Sequence, residues 1–240
     1  MTGNESQPSP LGPASPLRYV RDDTREEPLI VLSIDTCLGA CSCAVVRDGE
    51  TLASTFEPMT RGHQERLAPM VEATVKGAGV AFVDLDRIAV TVGPGSFTGL
   101  RVGLAFAKGL GLALGKPVVG VGALEALGAE ETGRTLALAD ARRGQVYWQA
   151  FEDGRALNEP SASTLEDAAS FFVPDIVTGP GADLVAGRFA GALATGRPAP
   201  DPAAVARLGA VRLDPSPPRP LYLRTPDAKL PGGVEPEWPT

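Results

Sequence analysis

The string GPGSFTGLR, from Gly93 to Arg101, holds the most chemically suggestive spacing in the chain. It follows an apolar run and opens a helical one. Gly93 and Gly95 permit backbone angles closed to other residues, and Ser96 or Thr98 suits a helix N-cap. Such a strand-to-helix turn can offer free N–H groups to an anion, although a tight turn plus cap explains the same residues. Metal chemistry has little to work with. The chain has one histidine, His63, with Leu67 one helical turn later, and it contains neither an HExxH motif nor a three-ligand zinc set. His63 reads as a helix-entry or packing residue. Cys37, Cys41 and Cys43 are odd in number and closely spaced, and strand alternation puts Cys41 and Cys43 on one face. They read as small, reduced packing residues rather than a disulfide, metal or redox set.

The elements that must hold these residues are legible. Residues 29–34, 41–47 and 51–56 read as strands, with Asp48-Gly49 a hairpin turn between the last two, giving an antiparallel meander. A helix is predicted over 62–76, with Leu67, Met70, Val71, Thr74, Val75 and Ala78 at three- and four-residue steps. A strand at 87–92, a long helix at 98–114 and a strand at 117–121 follow. The pattern then repeats 105 residues later. Asp35 matches Asp140, Gly39 matches Gly144, Asp48-Gly49 matches Asp153-Gly154, and Leu52 matches Leu157. Beyond that lie weaker helical patterns at 165–172, 182–189 and 203–211 and a strand at 176–178. Two related halves, each opening on a meander, predict an α/β fold of the actin, sugar kinase and Hsp70 (ASKHA) type with the second half reduced. The boundaries drawn are a disordered tail at 1–27, subdomains at 28–124 and 125–230, and a flexible tail at 231–240, with a stiff Pro-rich linker at 214–220.

A formal net charge of −7 argues against nucleic-acid binding by the chain alone, and no basic cluster with interleaved aromatics is visible along it. The N-terminus shows no apolar signal core. The most apolar stretch, 102–129, is interrupted by Lys108, Lys116 and Pro117. A cytoplasmic protein without membrane contact is expected.

One helix face invites a partner. Gly99, Gly103, Ala107, Gly111 and Gly115 recur every four residues, forming a stripe of small side chains. Each interior Gly costs about 0.5–1 kcal/mol relative to Ala, and close approach of another helix would compensate. Leu100, Val102, Leu104, Phe106, Leu110 and Leu114 leave the helix apolar nearly all round, so core on one side and a partner on the other is the favoured reading over full burial. On that reading, Leu at Gly103 or Gly111 leaves the fold intact and abolishes pairing.

The strand with Ile34, Asp35 and Thr36, the segment RGHQERLAPMV (61–71), GPGSFTGLR with its helix, LADARRGQVYW (138–148) and LYLRTPDA (221–228) together resemble the TsaB family. The resemblance spans about residues 29–228. It implies a non-catalytic scaffold for forming N6-threonylcarbamoyladenosine at position 37 of tRNA. The catalytic relative, TsaD, holds the metal through two histidines one helical turn apart and a distant Asp. It further implies pairing with TsaD through a four-helix bundle. Here Leu67, Met70, Val71 and Thr74 on one helix, and Gly99, Gly103, Phe106, Ala107, Leu110 and Gly111 on the other, would form the interface. The TsaE ATPase would be a second partner, and the same surface would form homodimers when the chain is alone. tRNA would be met only through the complex. In the superfamily an Asp at the place of Asp35 positions Mg²⁺ and nucleotide phosphates, so Asp35, Thr36, Gly95 and Ser96 are candidates for weak ATP or ADP contact, with no cofactor required. The second turn, Asp140-Ala141-Arg142-Arg143-Gly144, lacks the small hydroxyl residues that wrap phosphate, which disfavours the alternative of a small-molecule kinase or ATPase.

Overall fold

The structure, a computed structural model, describes residues 28–185, 187–189, 191–212 and 216–224. The segments read as tails, 1–27 and 231–240, and part of the Pro-rich linker lie outside the described residues.

Strands β1 (Ile30–Asp35), β2 (Ala40–Arg47) and β3 (Glu50–Pro58) form the first meander. Helix α1 (His63–Gly77), β4 (Arg87–Gly93), α2 (Phe97–Leu114) and β5 (Val118–Gly122) follow. The first sheet has the order β3-β2-β1-β4-β5, with β4 parallel to β1 and β5 parallel to β4. A short α3 (Ala123–Gly128) leads into β6 (Arg134–Arg142), β7 (Gln145–Glu152), β8 (Arg155–Ala156) and β9 (Ser161–Thr164). Then come α4 (Leu165–Phe171), β10 (Ile176–Thr178), β11 (Leu193–Thr195) and α5 (Pro202–Ala210). The second sheet, read as β8-β7-β6-β10-β11, repeats the topology of the first. Two mixed sheets with a shared strand order give the duplicated ASKHA fold.

The repeat extends to single bonds. Asp48 and Asp153 both take left-handed backbone angles, φ 47° and 49°, each followed by a positive-φ glycine. The carboxylate of Asp48 accepts the Leu29 N–H at 2.9 Å, and that of Asp153 accepts the Gly133 N–H at 2.8 Å. An Asp that tolerates the left-handed region while its carboxylate ties the turn to the start of the meander's first strand explains why Asp-Gly stands at both places.

The strands of the first sheet alternate between two cores. Leu32, Ile34, Cys41, Cys43 and Val45 face α1 and α2. Val31, Ala44, Val46, Ala89, Val119 and Val121 face α3 and α5. Helix α5 therefore covers the first sheet although it lies far along the second half of the sequence, so a division at 124/125 does not separate the packing units. Gly209 on α5 allows this approach, since a Cβ there would collide with that of Ala89. Elsewhere the sequence-based reading needs one correction of type: a helix over 182–189 is only a 3-10 turn at Ala182–Val185. Short strands β9 and β11, and α3, were too brief to announce themselves by periodicity.

Candidate functional site

The loop after β1 lies on the start of α2. Ser96 caps α2, its hydroxyl accepting the Gly99 N–H at 3.3 Å, and the Ser96 N–H donates to the Cys37 carbonyl at 2.7 Å. The Thr36 hydroxyl donates to the Gly99 carbonyl at 2.7 Å. Three glycines make this closeness possible. A Cβ on Gly95 would sit 2.9 Å from the Cys37 carbonyl carbon, one on Gly99 3.1 Å from that of Thr36, and one on Gly103 2.5 Å from Thr36 Oγ1. Asp35, Thr36, Gly95 and Ser96 are thus brought together, but against one another.

Asp35 is fully buried. Its Oδ1 accepts from the Thr91 hydroxyl at 2.5 Å and the Cys37 N–H at 3.2 Å, while Oδ2 has no partner. Burial raises its carboxyl above the ordinary value, with the hydrogen bonds from Thr91 and Cys37 working the other way. Of the groups proposed for phosphate contact, Thr36, Ser96 and Asp35 Oδ1 are therefore engaged in internal bonds, while Asp35 Oδ2 is buried without a partner. Asp140, its counterpart, is exposed and accepts the Arg142 N–H at 2.7 Å, closing the β6–β7 turn. The three cysteines are free and buried. Burial pushes the Cys41 thiol up to about 12 and the Cys43 thiol up to about 11. His63 opens α1 and is buried. Among the described residues no three metal-capable side chains come together.

The small-residue stripe faces inward. Gly99, Gly103, Ala107 and Gly111 are buried against the chain's own first sheet, and a Cβ on Gly111 would clash with Val118. Leu67, Met70, Val71 and Thr74 of α1 likewise fill the core, and only Phe106 and Leu110 of the proposed interface stay partly exposed. The correction has a simple cause. A helix apolar on both sides has two candidate stripes, and the spacing of one does not say which meets the sheet. The outward stripe lies about half a turn round, at Ala105, Gly109 and Ala113, with Leu112 86% exposed. A Cβ at Gly109 would meet nothing within 4 Å. Beside it, α1 turns Ala68, Pro69 and Ala73 to solvent, and the two helices pack together.

Known proteins are similar to this chain in sequence and fold. A family profile described as TsaD, tRNA N6-adenosine threonylcarbamoyltransferase, matches residues 52–172. An uncharacterized protein of Mycobacterium tuberculosis H37Rv is 39% identical over 206 residues, covering 83% of this chain and 93% of that one. The tRNA threonylcarbamoyladenosine biosynthesis protein TsaB of Escherichia coli K12 is 41% identical over 127 residues, 51% of this chain and 54% of that protein. The chain belongs to the TsaD-related family, on its TsaB side. A Pseudomonas aeruginosa crystal structure described as similar to the peptidase YeaZ superposes with a TM-score of 0.72 at 29% identity, covering 82% of this chain and all of that one.

One feature of this TsaB-family chain escaped sequence reasoning. The segment 221–224 crosses from one half to the other. The Leu221 N–H donates to the Val92 carbonyl at 2.7 Å, and Arg224 donates to the Ala141 carbonyl on the β6–β7 turn. Tyr222 between them lies against Phe97 at the start of α2, with ring centroids 5.4 Å apart. The motif LYLR was visible, but its role as a strap depends on where the two halves meet.

Proposed function

We propose that this chain is a non-catalytic scaffold in the formation of N6-threonylcarbamoyladenosine in tRNA, docking a TsaD-type transferase through the outer face of α1 and α2 and holding it active. The observation that carries this is the outward stripe of Ala105, Gly109 and Ala113 beside exposed Leu112 and the small residues of α1. Small outward side chains let a second pair of helices come close, and the exposed Leu supplies apolar area to bury. The Escherichia coli relative, a tRNA threonylcarbamoyladenosine biosynthesis protein, supports the pathway. The single histidine supports the absence of a TsaD-type two-histidine metal site, and with no HExxH motif it argues equally against metalloprotease chemistry. TsaE acts as the second partner, the complex works in the cytoplasm, and the same helix face closes homodimers when TsaD is absent. The kinase or ATPase alternative has less support, because Asp35 is buried and its neighbours are internally bonded.

The test is gel filtration with TsaD, together with mass spectrometry of the nucleoside in a reaction containing tRNA, threonylcarbamoyl-adenylate, TsaD and TsaE. Wild type supports both pairing and product, and omission of the chain removes product. Gly109→Arg and Leu112→Asp keep native circular dichroism but lose pairing. Product without the chain, or unchanged co-elution of both variants, refutes the proposal.

A further inference from the structure

We infer that Arg101 is the polar anchor of the docking face, taking a carboxylate from the transferase, and that segment 221–224 holds this anchor in place. The role rests on the scaffold reading and specifies what the partner must carry. Arg101 lies on α2 four residues before Ala105 and eight before Gly109, so it continues the outward stripe, and it is exposed. Its guanidinium carbon stands 3.7 Å from the centroid of the Phe97 ring, within cation–π range. Its Nε donates to the Tyr222 hydroxyl at 3.4 Å. The rings of Phe97 and Tyr222 lie 5.4 Å apart and remain 41% and 43% exposed. The N–H of Leu221 donates to the Val92 carbonyl, so the last described segment of the chain fixes a ring against the start of α2.

Held from two sides, the Arg101 side chain has little rotamer freedom left to lose on binding. Among the described residues no carboxylate pairs with it, nor with exposed Lys108 seven residues further on, and α2 carries no carboxylate of its own. Seven residues span about 10.5 Å, two helical turns, so both cations stand on one side of α2. An unpaired guanidinium stacked on a ring beside exposed apolar groups is the kind of residue on which protein interfaces concentrate their binding free energy. The occupant follows from charge. Helices that pack over Ala105 and Gly109 bring their flank to Arg101 and Lys108, where a carboxylate is attracted and a Lys or Arg is repelled. Two copies of this chain meeting α2 to α2 would oppose like charges, so the same pattern sets the transferase above a homodimer. RNA fits less well, because Ala105 and Leu112 offer nothing to a phosphate and the net charge of −7 repels a polyanion.

Isothermal titration calorimetry of the full chain with the TsaD-type transferase of the same organism, repeated between about 0.05 and 0.3 M salt, tests it. Arg101→Gln should keep native circular dichroism, weaken pairing roughly tenfold or more and flatten its salt dependence. Arg101→Lys should keep the salt dependence but not the full affinity, because an ammonium lacks the planar fork. Tyr222→Phe keeps the ring and removes the hydroxyl that holds Nε, and it should weaken pairing about threefold. The control, Arg155→Gln on the edge strand β8 of the second sheet, should match wild type. Wild-type affinity and salt dependence in Arg101→Gln, or an equal loss in Arg155→Gln, overturns the inference and leaves the scaffold reading standing. So does tRNA binding by the chain alone that Arg101→Gln abolishes while pairing is unchanged, which would make the cluster an RNA contact. No pairing by the wild-type chain overturns both.

Discussion

Two Gly→Ala changes on α2 separate burial against the chain's own sheet from exposure to a partner. Gly103 and Gly109 lie six residues apart in one helix, and as free-helix positions each would gain about 0.5–1 kcal/mol from Ala. Gly109 has nothing within 4 Å of a Cβ, so Gly109→Ala should realise that gain. At Gly103 the new methyl would lie 2.5 Å from Thr36 Oγ1, where ordinary contact begins at 3.4 Å, and 3.7 Å from Val90 Cγ2. Thr36 must move, and it carries the bond to the Gly99 carbonyl that ties the β1 loop to α2. Overpacking costs about 1–3 kcal/mol, and leaving buried partners unsatisfied adds about 1–3 kcal/mol. Against the propensity gain, a net loss of about 2–4 kcal/mol follows for Gly103→Ala. In a domain of this size, 1 kcal/mol moves Tm by about 2–4 °C. Thermal and urea unfolding followed by circular dichroism should show Gly109→Ala raised by a few degrees and Gly103→Ala lowered by roughly 5–15 °C. Equal stability of Gly103→Ala and wild type would refute the inward assignment of the stripe. It would also restore the reading in which Leu at Gly103 disturbs only pairing.

Asp35 makes stability depend on pH. Its carboxyl is held above the ordinary value, so the folded chain keeps a proton that the unfolded chain releases near pH 4. The folded state then binds more protons, and stability should fall as pH rises from about 4 towards the folded value. Asp35→Asn, uncharged throughout, should flatten that decline in urea midpoints taken across the range. Parallel curves for the two proteins would contradict it. The thiols should be inert in the folded state, because burial raises Cys37 well above its ordinary value and Cys41 to about 12. Ellman's reagent at pH 8 should find no fast-reacting thiol natively and all three in denaturant. A native burst of one equivalent would show that a cysteine is open to solvent.

The duplication was legible because Asp-Gly turns and strand-end aspartates are local signals, each fixed by backbone angles within a few residues. The first meander, α1, α2 and the shared face of Cys41 and Cys43 followed from periodicity for the same reason. The family was legible from its motifs, and the lack of a second histidine from a count.

What the sequence left open was which surfaces meet. The stripe of Gly99, Gly103, Ala107 and Gly111 and the stripe of Ala105, Gly109 and Ala113 have the same spacing. Only the sheet that Gly103 touches distinguishes them. Residues 202–210 read as part of the second half, yet α5 packs on the first sheet. Segment 221–224 sets Tyr222 against Phe97 and Arg101 of α2 and Arg224 on the β6–β7 turn, although these stretches lie about eighty or more positions away along the chain. The chain by itself determined its elements and its lineage, because those are written in spacings of two to four residues. Which face is core, which is surface and which charges stand together was decided only in the tertiary structure, because these depend on contacts between residues a hundred or more positions apart.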